Sequence, residues 1–132
     1  MKRLVFAAAV LLAGEAFAQD AACLRPVPPA FPAPAAAGAL SQPQIEQHRA
    51  ARDAFFTAAD ANLACLDAAI EARMRTLFAT GAPMDEGLRR LGQAHEDASR
   101  EKAQTYERFL RLCLAWEDAK HTPLPGGCAP AQ

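Results

Sequence analysis

Apolar residues between positions 41 and 80 recur at alternating spacings of three and four, the period of one face of an α-helix. The larger of them form one stripe: Phe56, Ala59, Leu63, Leu66, Ile70, Met74 and Leu77. A second stripe, on nearly the opposite face, contains small residues: Ala51, Ala54, Ala58, Ala61, Cys65, Ala68 and Ala72. The pattern predicts a long helix whose larger stripe faces a second helix, while the small stripe lets another backbone approach closely.

A few residues mark the ends of this helix and the start of another. Ser41, with Gln44 three residues later, matches a capping box. No Gly or Pro follows until Gly81-Ala82-Pro83, which interrupts the helical pattern. We predict helices over about residues 41–80 and 83–120, because a stretch rich in Pro and Gly ends the second one.

The second helix has an apolar seam that passes through small and polar residues before large side chains return near its end. Its members are Met84, Leu88, Leu91, His95, Ala98, Lys102, Thr105, Tyr106, Phe109, Leu110, Cys113 and Trp116. A turn at residues 81–82 sets the bulky stripe of helix one against the small middle of helix two, which favours interdigitation. We therefore expect an all-α fold, a long antiparallel two-helix hairpin.

Residues 19–40 are rich in proline and alanine, with prolines at positions 26, 28, 29, 32 and 34. Proline fixes the backbone and lacks an N–H, so this segment is expected to be extended and not helical. We expect it to pack on helix one, in the groove formed by the small residues. Residues 121–132 are expected to form a short tail.

The first eighteen residues are typical of a signal peptide. Lys2 and Arg3 precede an apolar stretch, Leu4–Leu12, and Ala16-Phe17-Ala18 supplies the small-x-small pattern of a cleavage site. We expect cleavage after Ala18 and export to the periplasm or the cell exterior. The apolar stretch is shorter than the roughly 20 residues of a bilayer-spanning helix, so no membrane span is expected.

The charge of the chain bears on its partners. The whole chain contains 14 basic and 15 acidic residues, and removal of residues 1–18 leaves 12 and 14, a net charge of −2. Binding to nucleic acid or anionic lipid usually requires clustered positive charge, which this composition lacks. We expect neither as a partner.

Four cysteines follow the cleavage site, an even number that predicts two disulfides in an exported chain. On the predicted hairpin, Cys65 and Cys113 lie at very different distances from the turn and cannot be bridged. A bridge from Cys65 to Cys128 would overstretch the tail. The remaining pairing is Cys23–Cys65 with Cys113–Cys128, and its first bridge attaches the proline-rich segment to helix one.

Other roles for the cysteines have less support in the sequence. Asp20 occupies the position where a lipobox needs an apolar residue, so a lipid anchor on Cys23 is not expected. Cys113, His121 and Cys128 are candidate metal ligands, but they lack the close spacing of typical metal-binding motifs. We expect disulfides, no bound metal and no cofactor.

No group of residues in the sequence indicates catalysis. His95-Glu96 does not begin a metalloprotease motif, because position 99 is a serine. Adjacent carboxylates such as Glu96-Asp97 point away from each other on a helix, as expected of a solvated face. We expect that the protein is not an enzyme.

An early cysteine, a proline-rich lead and a long helix bearing Asn62-Leu63-Ala64-Cys65-Leu66 characterise residues 23–75. In these features the chain resembles small uncharacterised exported proteins of proteobacterial type. The resemblance implies an exported helical protein and no particular activity.

Two functional hypotheses follow from these patterns. The first is a noncatalytic periplasmic interaction or structural protein, which binds an unknown protein partner or a second copy of itself. Its candidate interface residues are Tyr106, Phe109 and Trp116, which flank the weak middle of helix two. The alternative is a small-ligand or metal-binding helical protein of the cell envelope, which uses His121 and the C-terminal cysteines.

Overall fold

A computed structural model of the protein describes residues 23–130. Within this range, a short 3-10 helix, Pro34–Ala39, precedes two long α-helices, α1 (Gln42–Thr80) and α2 (Glu86–Lys120). The two long helices pack against each other as a hairpin, so the predicted all-α fold is confirmed. The predicted signal peptide, residues 1–18, lies outside the described residues. Between residues 23 and 130, neither helix combines the length and the apolar character needed to cross a membrane.

The helix ends follow from local hydrogen bonds. The Ser41 hydroxyl accepts from the Gln44 N–H and the Gln44 side chain accepts from the Ser41 N–H, which is the predicted capping box. α1 ends at Gly81, whose φ of 63° is left-handed. α2 begins three residues later than predicted, because the Asp85 carboxylate accepts from the Leu88 N–H at 2.9 Å and caps the helix there.

The helices pair at the register that a turn at residues 81–82 predicts. The Lys102 ammonium forms an ion pair with Asp60, and His95 Nε2 lies 3.1 Å from an Asp67 carboxylate oxygen. Both contacts join α1 to α2, and both correspond to the same antiparallel alignment of the helices.

The buried stripe of α1 differs from the predicted one. Its residues are Ile45, Arg52, Phe55, Ala59, Asn62 and Leu66. The predicted stripe is only partly buried, since Phe56 and Leu63 lie at the edge of the helix contact and Met74 is 39% exposed. The rotation of α1 about its own axis differs from the predicted one because buried Arg52 and Asn62 donate hydrogen bonds to main-chain carbonyls of other segments.

Most of the apolar core lies where the beginning of α1 meets the end of α2. Its buried members are Ala37, Ile45, Phe109, Leu112, Cys113, Trp116, Leu124 and Cys128. A smaller cluster of Leu66, Leu91 and Ala98 lies nearer the turn. The packing weakens at the turn itself, where Phe78 is 79% exposed and Met84 is 76% exposed.

The proline-rich segment is extended at first but ends as a helix. Its last six residues before Leu40 form the 3-10 helix Pro34–Ala39, so the prediction of no helix in residues 19–40 is wrong. Pro34 is the last of the prolines and occupies the first turn, where a backbone N–H is not needed. The residues that follow it are alanines and a glycine, and they are free to close backbone hydrogen bonds.

The same segment lies against both long helices and not in the alanine groove of α1. The alanines of the small stripe are exposed: Ala51, Ala54, Ala58, Ala61, Ala68 and Ala72. Instead, the Asn62 amide donates to the carbonyls of Cys23 and Leu24, at 3.3 and 3.1 Å. A proline-rich chain has carbonyl groups that need donors, and alanine side chains offer none.

The end of the segment is attached to α2. The Trp116 indole N–H donates to the Leu40 carbonyl at 3.0 Å, and the Lys120 ammonium donates to the Gly38 carbonyl at 2.9 Å. Halfway along the segment, the ring of Phe31 packs edge-on against the ring of Phe109, with 5.6 Å between their centres.

Both predicted disulfides are present. Cys23 is bonded to Cys65 and Cys113 to Cys128, with Cα atoms 5.5 and 5.7 Å apart. They close loops of 42 and 15 residues, and loop-closure entropy gives stabilisations of about 4 and about 3 kcal/mol. The bridges hold the two terminal segments on the hairpin, and two disulfides are typical of an oxidising, exported location.

Two arginines of α1 hold the C-terminal tail. Arg49 donates to the carbonyls of Pro125 and Gly127, at 2.5 and 3.2 Å, and Arg52 donates to the Cys128 carbonyl at 2.6 Å. Gly126 suits the position between the Pro125 and Gly127 carbonyls, because its φ of 82° lies in the left-handed region that favours glycine. The tail is therefore fixed by hydrogen bonds as well as by its disulfide.

Candidate functional site

An open groove of about 880 Å³ lies between the middle of α1 and the middle of α2. It is lined from α1 by Asp53, Phe56, Thr57, Asp60 and Leu63, from α2 by Ser99, Lys102, Ala103, Tyr106 and Glu107, and from the tail by Pro130. The proline-rich segment contributes no residue to this lining. One edge of the helix pair is thus covered by that segment, whereas the groove leaves a stretch of the pair open.

The apolar part of the groove is formed by half-buried side chains. Phe56 and Leu63 project from α1 two helical turns apart, and Tyr106 lies opposite them on α2. These residues lie off the buried stripe of α1 and the fully buried positions of α2, so each keeps part of its surface in water. Ala103, which is exposed, leaves room between them.

The charged part of the groove is mainly acidic. The side chains of Asp53, Asp60 and Glu107 are 51%, 61% and 63% exposed. The one basic residue of the lining is Lys102, which is 31% exposed. Its ammonium forms the ion pair with Asp60 and lies 5.3 Å from the centre of the Phe56 ring.

The partners of the other two carboxylates lie at or beyond the edge of the groove. Arg52 binds Asp53 through Nε and Nη2, at 2.9 and 2.7 Å, and is itself buried. Arg111 reaches Glu107 at 3.4 Å across one turn of α2 and is 67% exposed. The carboxylate oxygens therefore remain available to a further positive group.

A second, smaller cavity of about 230 Å³ adjoins the Cys23–Cys65 disulfide. It is lined by Cys23, Arg25, Asn62, Leu66, Arg90, Leu91 and Ala94. Arg25 is already paired with Glu101 at 3.1 Å, and the Asn62 amide is used by two main-chain carbonyls. Arg25 and Asn62 thus serve to attach the proline-rich segment, and the exposed Arg90 is the other charged residue of the lining.

The three predicted interface residues have different positions. Tyr106 lines the open groove. Phe109 is 0% exposed and Trp116 is 2% exposed, so both belong to the core and neither is available to a partner. The correction has a simple cause, because the proline-rich segment and the 3-10 helix cover the aromatic end of α2.

The three candidate metal ligands do not converge. Among the described residues, the ligand atoms of Cys113, Glu117 and Cys128 lie within 4.8 Å of one another, and His121 is not part of this group. The two sulfur atoms are bonded to each other, and Glu117 accepts a hydrogen bond from the Leu124 N–H at 2.8 Å. His121 is exposed and forms the C-terminal cap of α2 with a left-handed φ of 52°. The geometry at this end of the molecule is that of a disulfide-braced turn.

Among residues 23–130, Asp85 is the titratable group whose pKa is shifted most clearly by its environment. Its carboxylate forms an ion pair with Arg73 and accepts from the Leu88 N–H. The hydrogen bond from Arg73 and then that from the Leu88 N–H lower the pKa of Asp85 below its usual value. This carboxylate ties the turn of the hairpin to both helices.

Sequence reasoning missed the structural use of Arg52 and Asn62 and the position of the groove. Asp53 and Asp60 belong to neither stripe of helix one, and Lys102 lies in the seam of helix two. The signal that connects them is the hairpin register, which sets Lys102 opposite Asp60. On each helix these residues lie along an edge that carries both polar and apolar side chains. Two such edges side by side predict an open groove between the helices.

Comparison with known proteins adds no assignment, since no family model, curated protein or solved structure matches the chain.

Proposed function

We propose that the protein is a noncatalytic interaction protein of the periplasm, which binds a helical segment of a protein partner in its open groove. The observation that carries this proposal is the 880 Å³ groove between two helices, with an apolar floor of Phe56, Leu63 and Tyr106 and a polar rim. An amphipathic lining of this kind is typical of surfaces that receive the apolar face of a helix.

The dimensions of the groove suit a helix. On α1 its lining extends from Asp53 to Leu63, ten residues apart, which corresponds to about 15 Å or almost three helical turns. A third helix packs into the space between two others at about 8–10 Å from each axis. A partner helix would therefore bury Phe56 and Leu63 against its own apolar stripe.

The two disulfides fix the segments around the groove, which favours binding without rearrangement. The Cys23–Cys65 bridge fixes the first segment on α1, and the Cys113–Cys128 bridge fixes the tail that carries Pro130. A preformed groove loses little conformational entropy when it is occupied, which raises affinity.

The proposed location rests on the signal-like residues 1–18 together with the two disulfides. Export and cleavage after Ala18 leave a mature chain that begins at Gln19. Intact mass measurement of the protein from a periplasmic fraction tests this, and a chain that keeps residues 1–18 contradicts it.

Site-specific photo-crosslinking tests the binding proposal in cells. A photoreactive amino acid at Ala103 in the groove should form a discrete protein adduct, because its side chain points to the bound partner. The matched control places the same amino acid at Ala54, which is exposed on the alanine stripe outside the groove. A failure to crosslink from position 103, or equal adducts from both positions, contradicts the proposal.

A further inference from the structure

We infer that the helix accepted by the groove is cationic, with Lys or Arg residues flanking an apolar stripe. The inference rests on the proposed function, since it specifies the chemistry of the partner at that same groove. It excludes acidic helices and a second copy of this chain as the preferred occupant.

The charge of the groove supports a cationic partner. Three carboxylates, Asp53, Asp60 and Glu107, line the groove with one ammonium, Lys102, and all three are more than half exposed. The guanidinium that binds Asp53 belongs to Arg52, which is buried and does not line the groove, so the lining itself is acidic. The Arg111–Glu107 pair joins neighbouring turns of one helix and is exposed on both sides, so it is a weak pair that an incoming cation can replace. Apolar burial around these carboxylates would strengthen their attraction to Lys or Arg of a partner.

The spacing of the floor residues indicates where the partner's apolar side chains lie. Phe56 and Leu63 are seven residues apart on α1, about 10.5 Å along the helix axis. Two apolar residues at positions i and i+7 of a partner helix have the same separation, and residues i+3 and i+4 then lie at the level of Ala103. Cations at the flanking positions of such a helix reach the acidic rim.

A second copy of the chain fits this surface poorly. A two-fold dimer through the groove would bring the same patch of each protomer together. The lining of each patch has three carboxylates and one ammonium, so a dimer would bring two acidic linings against each other. The repulsion favours a partner of different composition.

Binding of three designed peptides to the oxidised protein tests the inference. Each peptide has about 14 residues with leucine at i, i+3, i+4 and i+7, and its remaining positions are Lys, Gln or Glu, which have similar helix propensities. Fluorescence anisotropy of the labelled peptides gives the dissociation constants. We expect the Lys peptide to bind about tenfold or more tightly than the Glu peptide, with a preference that falls as salt increases.

Charge variants show whether the preference comes from the groove. Asp60→Asn combined with Glu107→Gln should reduce the preference for the Lys peptide several-fold. The control, Glu86→Gln combined with Asp97→Asn, removes the same charge from α2 outside the groove and should leave the preference unchanged. Ala103→Trp, at an exposed position, should block all three peptides.

The possible results separate the two proposals. If the Glu or Gln peptide binds as tightly as the Lys peptide, and Ala103→Trp blocks it, the cationic partner is wrong while the groove still binds helices. If none of the peptides binds at about 1 mM, both the groove function and the partner class are wrong. If the control variant changes the preference as much as the groove variant does, the Lys peptide is attracted by the net charge of the protein and not by the groove, and the inference fails.

Discussion

The guanidinium carbon of Arg52 lies 4.5 Å from the centre of the Phe109 ring, and both side chains are fully buried between α1 and α2. The same guanidinium donates to the Cys128 carbonyl and to Asp53. One α1 side chain therefore joins the second helix, the C-terminal tail and the acidic edge of the groove.

Arg52→Met should lower the free energy of unfolding by about 2–4 kcal/mol, because it leaves the buried Cys128 carbonyl without its donor. Urea unfolding followed by the fluorescence of Trp116 measures the loss. The control is Arg75→Met, whose side chain is 74% exposed in a surface pair with Glu71 and should cost less than about 0.5 kcal/mol. Equal losses in the two variants would contradict a central role for Arg52.

Replacing Cys23 and Cys65 together by serine should lower the free energy of unfolding by about 4 kcal/mol, because the unfolded chain is no longer held in a 42-residue loop. The proline-rich segment should also become accessible to proteases, since its first residues are then held mainly by the contacts of Asn62 and Arg25. Limited proteolysis with mass spectrometry locates the cuts. Resistance equal to that of the parent protein would show that the bridge is not what holds the segment.

The pKa of Asp85 is lowered by Arg73 and by the Leu88 N–H, so its ionised form stabilises the folded protein. That contribution is present at neutral pH and is lost as pH falls through the folded pKa, below the usual pKa of aspartate near 4. NMR titration of the Asp85 carboxyl should give a lower midpoint in the folded protein than in the same chain unfolded in urea. An identical midpoint in the two states is the result that contradicts this prediction.

The two helices end with the same left-handed cap but with different residues. His121→Gly should raise the free energy of unfolding by up to about 1 kcal/mol, because glycine adopts the φ of 52° without a Cβ penalty. Gly81→Ala should have the opposite sign and a similar size, since its φ is 63° and nothing lies within 4 Å of an added Cβ. Thermal unfolding of both variants checks the signs, and stabilisation by Gly81→Ala would refute the argument.

The disulfide pairing could be derived from the sequence because it depends on lengths. Helical rise and the reach of an extended chain exclude the alternatives to Cys23–Cys65 and Cys113–Cys128, whichever way the helices face. Rotation of the helices about their axes is less well determined. A hydrophobic pattern cannot place a buried Arg52 or Asn62, because their burial depends on carbonyl groups from segments distant in the chain.

By itself the sequence determined the two helices, their antiparallel register, the loop that joins them and the two bridges, because these depend on periodicity, breakers and distance. Only the tertiary structure decided which edge of the hairpin is covered. Main-chain carbonyls at the two ends of the proline-rich segment accept hydrogen bonds from Asn62 and Trp116. The segment therefore covers Phe109 and Trp116, which the sequence analysis predicted to lie at an interface. The groove beside Tyr106 stays open for the same reason, since no described part of the chain other than Pro130 reaches across it.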